Sequence, residues 1–214
     1  MITLHHLNDS RSQRILWLLE ELALDYEIVA YERDAITRLA PPELNAIHPL
    51  GKSPVLTDGD LLIHESGAIT EYLIRQYGNG KLAPAKDTAE FVKYQEWMHY
   101  AEGSAMLPLL LRLYTSRLGD AAEPLMPRID SETANHFSFM NDQMAGKEFF
   151  VGTELTGADI MMSFPLEAAK ARGALDLLPH LKSFVDRMQM RPAYLKALEK
   201  GGTYSYGPAA SEAT

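Results

Sequence analysis

The opening 31 residues constrain the fold most. Ile2-Thr3-Leu4-His5-His6-Leu7 partly alternates and reads as a short strand, and Asn8-Asp9-Ser10-Arg11-Ser12 is a polar loop. Ile15, Leu18, Leu19 and Leu22 then recur at i, i+3, i+4 and i+7, with Arg14, Glu20 and Glu21 off that stripe. That spacing predicts a helix with one buried face. Tyr26-Glu27-Ile28-Val29-Ala30-Tyr31 alternates again as a strand. A strand, helix, strand sequence closes as a right-handed crossover between parallel strands, so the chain begins as an α/β layer.

The rest of that layer is antiparallel. Pro54-Val55-Leu56-Thr57 and Leu61-Leu62-Ile63-His64 flank Asp58-Gly59-Asp60, a hairpin signal. Ser66 can cap a helix that carries Ile69, Tyr72 and Leu73 as far as Tyr77, and Gly78-Asn79-Gly80-Lys81-Leu82-Ala83-Pro84 breaks the pattern. Downstream the periodicity is helical, over roughly 87–118, 124–145, 157–172, 178–190 and 192–200. The expected fold is therefore α/β plus all-α: a domain over residues 1–80 and a helical bundle over 86–204, with a small-residue tail after Lys200 read as a frayed terminus.

Composition removes several function classes. The 20 Lys and Arg stand against 29 Asp and Glu, and a net charge of −9 repels a phosphate backbone, so no nucleic-acid partner is expected. No apolar run reaches the roughly 18 residues that span a bilayer, and Met1-Ile2-Thr3-Leu4-His5-His6 lacks the basic start and apolar stretch of a signal peptide. The expected location is cytoplasmic, with no membrane partner. With no cysteine there is no disulfide, no thiolate metal site and no cysteine nucleophile. The 7 histidines show no His-Glu-x-x-His spacing, so no metal is expected. Any thiol chemistry must use a sulfur that the ligand brings.

Three segments, taken in order, carry a resemblance. The strand, loop and helix at 2–22, the run His48-Pro49-Leu50-Gly51-Lys52-Ser53-Pro54-Val55-Leu56 and the run His64-Glu65-Ser66-Gly67-Ala68-Ile69 resemble those of cytosolic glutathione transferases of the serine type, with bacterial and fungal members nearest in character. Thr156-Gly157-Ala158-Asp159-Ile160 and Arg191-Pro192-Ala193-Tyr194 extend the resemblance over nearly the whole chain. It implies a thioredoxin-like N-terminal domain that binds glutathione, a helical domain that forms the electrophile site, and a homodimer.

The resemblance also implies residue roles. Pro54 would be a cis-proline, presenting the backbone of Ser53 to the cysteinyl unit of glutathione; an ordinary trans-proline is the alternative. Ser66 would take the γ-glutamyl carboxylate, at a helix N-terminus that favours anions in any case. Glu65 would answer the ligand's ammonium group, and Lys52 its glycine carboxylate. A plain helix cap and a solvated lysine are the bland readings of these residues. Family members activate the thiol with Tyr, Ser or Cys just after the first strand, and here no Tyr precedes Tyr26. Ser10, four residues before Arg14, matches the serine position; Ser12, Asn8 and Arg11 are the neighbours that could act instead.

In the helical half, Thr156 and Asp159 fit the Ser/Thr-x-x-acid spacing of a reciprocal cap, a stability role. The segment Trp97–Leu111 is the expected wall of the electrophile pocket, with Met106 and Leu110 as its candidates and core packing as the alternative. The function expected is conjugation of glutathione, as co-substrate, to small hydrophobic electrophiles in detoxification. The rivals are a glutathione-dependent disulfide or peroxide reductase on the same fold and a non-catalytic glutathione-binding module. A maleyl-type isomerase ranks behind them, since the first loop lacks that class's Ser-Ser-Cys pattern.

Overall fold

The computed structural model describes residues 1–208, and these form two compact units. One joins Met1–Leu82 to the chain from Arg187 onward; the other is Ala83–Asp186. In the first unit β1 (Ile2–Leu7) pairs in parallel with β2 (Tyr26–Tyr31) and antiparallel with β3 (Val55–Asp58), which pairs antiparallel with β4 (Leu61–His64). The order β2-β1-β3-β4 makes β1 a central strand, and Leu4, His5, His6 and Leu7 are all buried. Gly59, with φ +59°, opens the two-residue loop that closes the β3–β4 hairpin, where the left-handed region suits glycine. Between β2 and β3 lies a short helix, α2 (Glu43–Ile47), which the charged, proline-bearing sequence does not announce.

The helix between β1 and β2, α1 (Ser12–Glu21), departs from expectation. Every residue from Ser12 to Glu20 is buried, so the helix has no solvent face. The reason is that the last helix, α9 (Pro192–Gly201), returns to the first unit and lies on it. Trp17 meets Tyr194 edge to face at 5.5 Å between ring centres, a geometry that adds about 0.5–1.5 kcal/mol beyond area burial. Arg191 grips the Glu21 carboxylate through Nε (2.6 Å) and Nη2 (3.1 Å). Lys196 and Lys200 both reach the buried Glu20 carboxylate, at 2.6 and 2.5 Å, and the Tyr26 hydroxyl donates to it at 2.5 Å. Charge pairing is what lets Glu20 be buried at all. The sequence reading runs the helical domain to residue 204, whereas the structure assigns the chain from Arg187 to the first unit because α9 supplies α1's second partner.

The tail also differs from the frayed reading. The Ser205 N–H and hydroxyl both donate to the Asp9 carboxylate, at 2.7 and 3.0 Å, and the Tyr206 carbonyl accepts from Gln189 at 3.0 Å. Residues 209–214 of that tail lie outside the described residues.

The second unit is helical. The expected long helix over 87–118 is α4 (Ala89–Tyr100), a π turn (Ala101–Ala105) and α5 (Met106–Thr115), followed by a 3-10 turn (Ser116–Ala122). α6 (Met126–Gln143) and α7 (Gly157–Lys170) follow, and α8 (Pro179–Gln189) leads out. α7 is buried from Gly157 to Ala169, its polar Asp159, Ser163 and Glu167 included. Thr156 and Asp159 form the expected capping box at its start. The Asp159 carboxylate accepts from the Thr156 N–H (2.8 Å), the Thr156 hydroxyl (2.9 Å) and the Phe150 N–H (2.8 Å), so it pins the preceding loop as well as the helix. Burial pushes this carboxyl up to about 6, against the pull of those donors. No helix among the described residues is long and apolar enough to cross a membrane.

Candidate active site at the end of the central strand

The expected site residues meet where β1 ends. The Leu7 N–H faces two hydroxyls, Ser12 Oγ at 3.3 Å and Ser53 Oγ at 3.2 Å. Ser12 begins α1 and Ser53 precedes β3, so one backbone group ties the first loop to the proline turn. The Ser53 hydroxyl donates onward to the His5 carbonyl at 2.8 Å, which turns its side chain into the sheet. The Ser53–Pro54 peptide bond is cis. Across the hairpin Val55 is paired with His64, which sets Glu65 and Ser66 beside that turn. The rings of His48 and His64 stand 4.3 Å apart and bring the 48–52 segment alongside, with Lys52 exposed. Ser10, Lys52, Ser53, Pro54, Glu65 and Ser66 are thus collected at one end of the sheet.

α3 (Ser66–Tyr77) starts one residue earlier than the capping reading requires. Glu65 is the N-cap, at φ +68° and ψ +116°, with no capping hydrogen bond from its side chain, and Ser66 is the first helical residue. A glutamate in that region costs on the order of 1–3 kcal/mol, the kind of strain that concentrates at functional sites. Its carboxylate is 72% exposed, 3.6 Å from His64 Nδ1, while Ser66 is buried beneath it. The free N–H groups of a 12-residue helix therefore open next to an exposed carboxylate.

The first loop is held from three sides. Arg33 donates through Nε to the Asn8 carbonyl (3.0 Å) and through Nη2 to the Asp9 carbonyl (3.2 Å), and the Arg33 N–H takes up Asn8 Oδ1 (2.9 Å). Arg38 pairs with the Asp9 carboxylate at 2.9 Å, beside Ser205. Asn8 is thereby turned toward the β2 side. Arg11 is the N-cap of α1.

Inside that frame runs a hydrogen-bonded chain. Ser10 Oγ lies 2.8 Å from Ser12 Oγ and accepts from the Ser12 N–H at 3.2 Å. Ser12 Oγ lies 2.8 Å from His6 Nδ1, and His6 Nε2 lies 3.1 Å from the carbonyl of Gly201, at the end of α9. Burial drives the His6 imidazole down to about 4, against the opposing influence of the Gly201 carbonyl. Ser12 is fully enclosed and Ser10 retains 4% exposure, so of the two serines Ser10 is nearer the surface.

Relatives decide what family this geometry belongs to. Residues 1–75 match the family "Glutathione S-transferase, N-terminal domain" and residues 104–192 match "Glutathione S-transferase, C-terminal domain". Glutathione S-transferase 3 of Schizosaccharomyces pombe is 37% identical over 94% of this chain and 88% of its own length. Glutathione S-transferase 1 of Saccharomyces cerevisiae is 33% identical over 94% and 95%. The chain belongs to the glutathione S-transferase family.

Solved structures agree. A glutathione S-transferase from Actinobacillus pleuropneumoniae superposes with a TM-score of 0.87 at 39% identity, over 94% of this chain and 93% of its own. A glutathione transferase homologue from Lodderomyces elongisporus, crystallised with two glutathiones per subunit, shares the fold at a TM-score of 0.76 and 21% identity, over 93% and 98%. The transferase fold is thus a four-stranded mixed sheet with its helices, followed by a helical domain.

Within this transferase the sequence reading missed His6, which patterning shows only as a strand position, and the link from Ser12 to it. Met106 is buried at the start of α5 and Leu110 is half-buried. The helical unit holds a cavity of about 510 Å³ lined by Glu96, Trp97, His99, Tyr100, Gly103, Ser104 and Phe139. Part of the expected Trp97–Leu111 wall lines it, and the two named residues do not.

Proposed function

We propose that the chain conjugates glutathione to small hydrophobic electrophiles, with the glutathione held at the end of β1. The observation that carries this reading is the strained Glu65 at the open N-terminus of α3, set beside the turn at Ser53 and the loop of Ser10. A zwitterionic γ-glutamyl group suits that corner. Its carboxylate meets Ser66 and the helix N–H groups, and its ammonium meets the exposed Glu65 carboxylate. Lys52 takes the glycine carboxylate, and the backbone of Ser53 pairs with the cysteinyl unit. Ser10 is the residue at the sulfur. The S–H bond breaks, its proton leaves to solvent, and the thiolate pair forms the new C–S bond as the electrophile's leaving group departs with its own pair.

Activation requires little. Lowering a thiol from about 8.5 by two units amounts to about 2.7 kcal/mol. A hydrogen bond to the charged form contributes about 1.5–3 kcal/mol and a helix N-terminus about 0.3–1 kcal/mol. By the same reading the enzyme is a cytoplasmic homodimer serving detoxification; light scattering should then give twice 23.9 kDa.

The test is a pH titration of thiolate ultraviolet absorbance with glutathione saturating the protein, followed by product analysis with an activated aryl halide. A midpoint well below that of free glutathione and a thioether product support the proposal. Oxidised glutathione formed from a disulfide or peroxide, without thioether, would establish the reductase instead. Binding with an unshifted midpoint would establish a non-catalytic module.

A further inference from the structure

The chain that ends at Gly201 has a direction. A carbonyl oxygen offers only lone pairs, so His6 Nε2, 3.1 Å from the Gly201 carbonyl, carries the imidazole proton. In the neutral ring Nδ1 is then an acceptor, and the Ser12 hydroxyl, 2.8 Å away, donates to it in preference to the Leu7 carbonyl at 3.2 Å. The lone pairs of Ser12 Oγ remain for the Leu7 N–H at 3.3 Å and for the Ser10 hydroxyl at 2.8 Å. Ser10 Oγ itself accepts from the Ser12 N–H. The two groups that hydrogen-bond the ring, Ser12 from α1 and Gly201 from α9, do not titrate, and enclosure of the ring favours its neutral form.

We infer that His6 is a positioning residue for Ser10: acting through Ser12, it draws the Ser10 proton inward, so that Ser10 meets an incoming thiol with a lone pair. The inference rests on the reading of Ser10 as the residue at the sulfur. A thiol S–H can donate to Ser10 Oγ as the loop stands. A thiolate receives the Ser10 proton only after that hydroxyl rotates away from Ser12, which leaves two oxygen atoms 2.8 Å apart with no proton between them. His6 therefore opposes the acidity of the bound thiol. With the Nδ1 acceptor gone, the Ser12 hydroxyl can donate to Ser10 Oγ at 2.8 Å in place of the more distant Leu7 carbonyl at 3.2 Å, and the Ser10 hydroxyl to the sulfur.

The experiment compares the bound-thiol titration in the unmodified protein and in His6→Phe, with glutathione affinity measured in both by calorimetry. The midpoint in His6→Phe should fall by about 0.4–1 pKa unit, the equivalent of one neutral hydrogen bond. A merely structural histidine would leave the midpoint unchanged or raise it, and either result overturns the inference. Should the variant not fold, imidazole nitrogen NMR of the unmodified protein decides: an Nε2-protonated tautomer at neutral pH supports the chain as drawn, and an Nδ1-protonated or doubly protonated ring refutes it. A thiol unshifted in the unmodified protein defeats the transferase reading and this inference with it; a shifted thiol that His6→Phe leaves unmoved defeats this inference alone.

Discussion

Acid should destabilise this fold through His6, by an amount that can be worked out. The ring is 3% exposed, and burial holds it at about 4 where a free imidazole titrates at 6.5. The folded-state value is the lower one, so the neutral ring's stability is fully present above pH 6.5 and is lost as pH falls toward 4, where the unfolded chain binds a proton that the folded chain refuses. Over that span the loss amounts to about 3 kcal/mol, of which about 2 kcal/mol falls between pH 7 and pH 5. The raw stability curve will not display this cleanly. Asp159, raised to about 6, acts with the opposite sign between pH 6 and 4, because the folded state then holds the extra proton. The informative quantity is the difference between the unmodified protein and His6→Phe, measured by urea unfolding at pH 7, 6, 5 and 4.5. The variant should lose less stability on acidification, by about 2 kcal/mol at pH 5 relative to pH 7. Parallel curves for the two proteins would refute the assignment of a depressed, neutral His6.

Three further substitutions probe separate parts. Ser10→Ala should raise the bound thiol's pKa by about 0.5–1 unit, since a charge-assisted bond of about 1.5–3 kcal/mol is offset by the Ser10–Ser12 bond it replaces; calorimetry should show glutathione affinity nearly intact, and equal loss of binding would remove Ser10 from the role. Thr156→Ala should lower stability by about 0.5–2 kcal/mol in thermal unfolding with the thiol midpoint unmoved, and an unchanged melting temperature would contradict the capping role. Gly201→Ala should destabilise by about 1–3 kcal/mol despite the better helix former, because the new Cβ would sit 2.7 Å from Leu16 Cδ1 and 3.0 Å from Gln13 Oε1; a rise in stability would show that the contact relaxes freely.

What the sequence made legible was local. The βαβ opening, the Asp58-Gly59 hairpin and the Thr156–Asp159 box each write their signal within a few residues, and the structure repeats them. The proline turn and the Glu65-Ser66 pair could be named from their order along the chain, yet nothing in that order distinguishes Ser66 as a cap from Ser66 as the first helical residue under a strained glutamate. What stayed hidden was contact between distant segments. The amphipathic stripe of α9, with Tyr194 and Ala197 buried, states that a face is covered and not by what. Glu20 looked like a solvent position for the same reason: its burial is decided by Lys196 and Lys200, on a helix nearly two hundred residues away.

That distance matters for how the site is built. His6 and Gly201 are 195 positions apart, and their hydrogen bond exists only because α9 comes close enough to α1 for its terminal carbonyl to reach β1. Gly201 has no room for a side chain on this side, with Leu16, Gln13 and His6 within 3.4 Å of where a Cβ would stand. The ion pairs of Glu20 with Lys196 and Lys200, and of Glu21 with Arg191, set α9 on α1 through charges that α1 must bury. Seating the helix and orienting the serine are thus parts of one arrangement. Whatever loosens α9 withdraws the Gly201 carbonyl, frees the His6 tautomer and with it the direction of the Ser12 and Ser10 hydroxyls, while the backbone around Ser53, Glu65 and Ser66 keeps its own supports in β3, β4 and α3. On the proposed function, binding and activation of the thiol are then held by different segments, and perturbations of the C-terminal helix should register in the thiol's acidity before they register in its affinity.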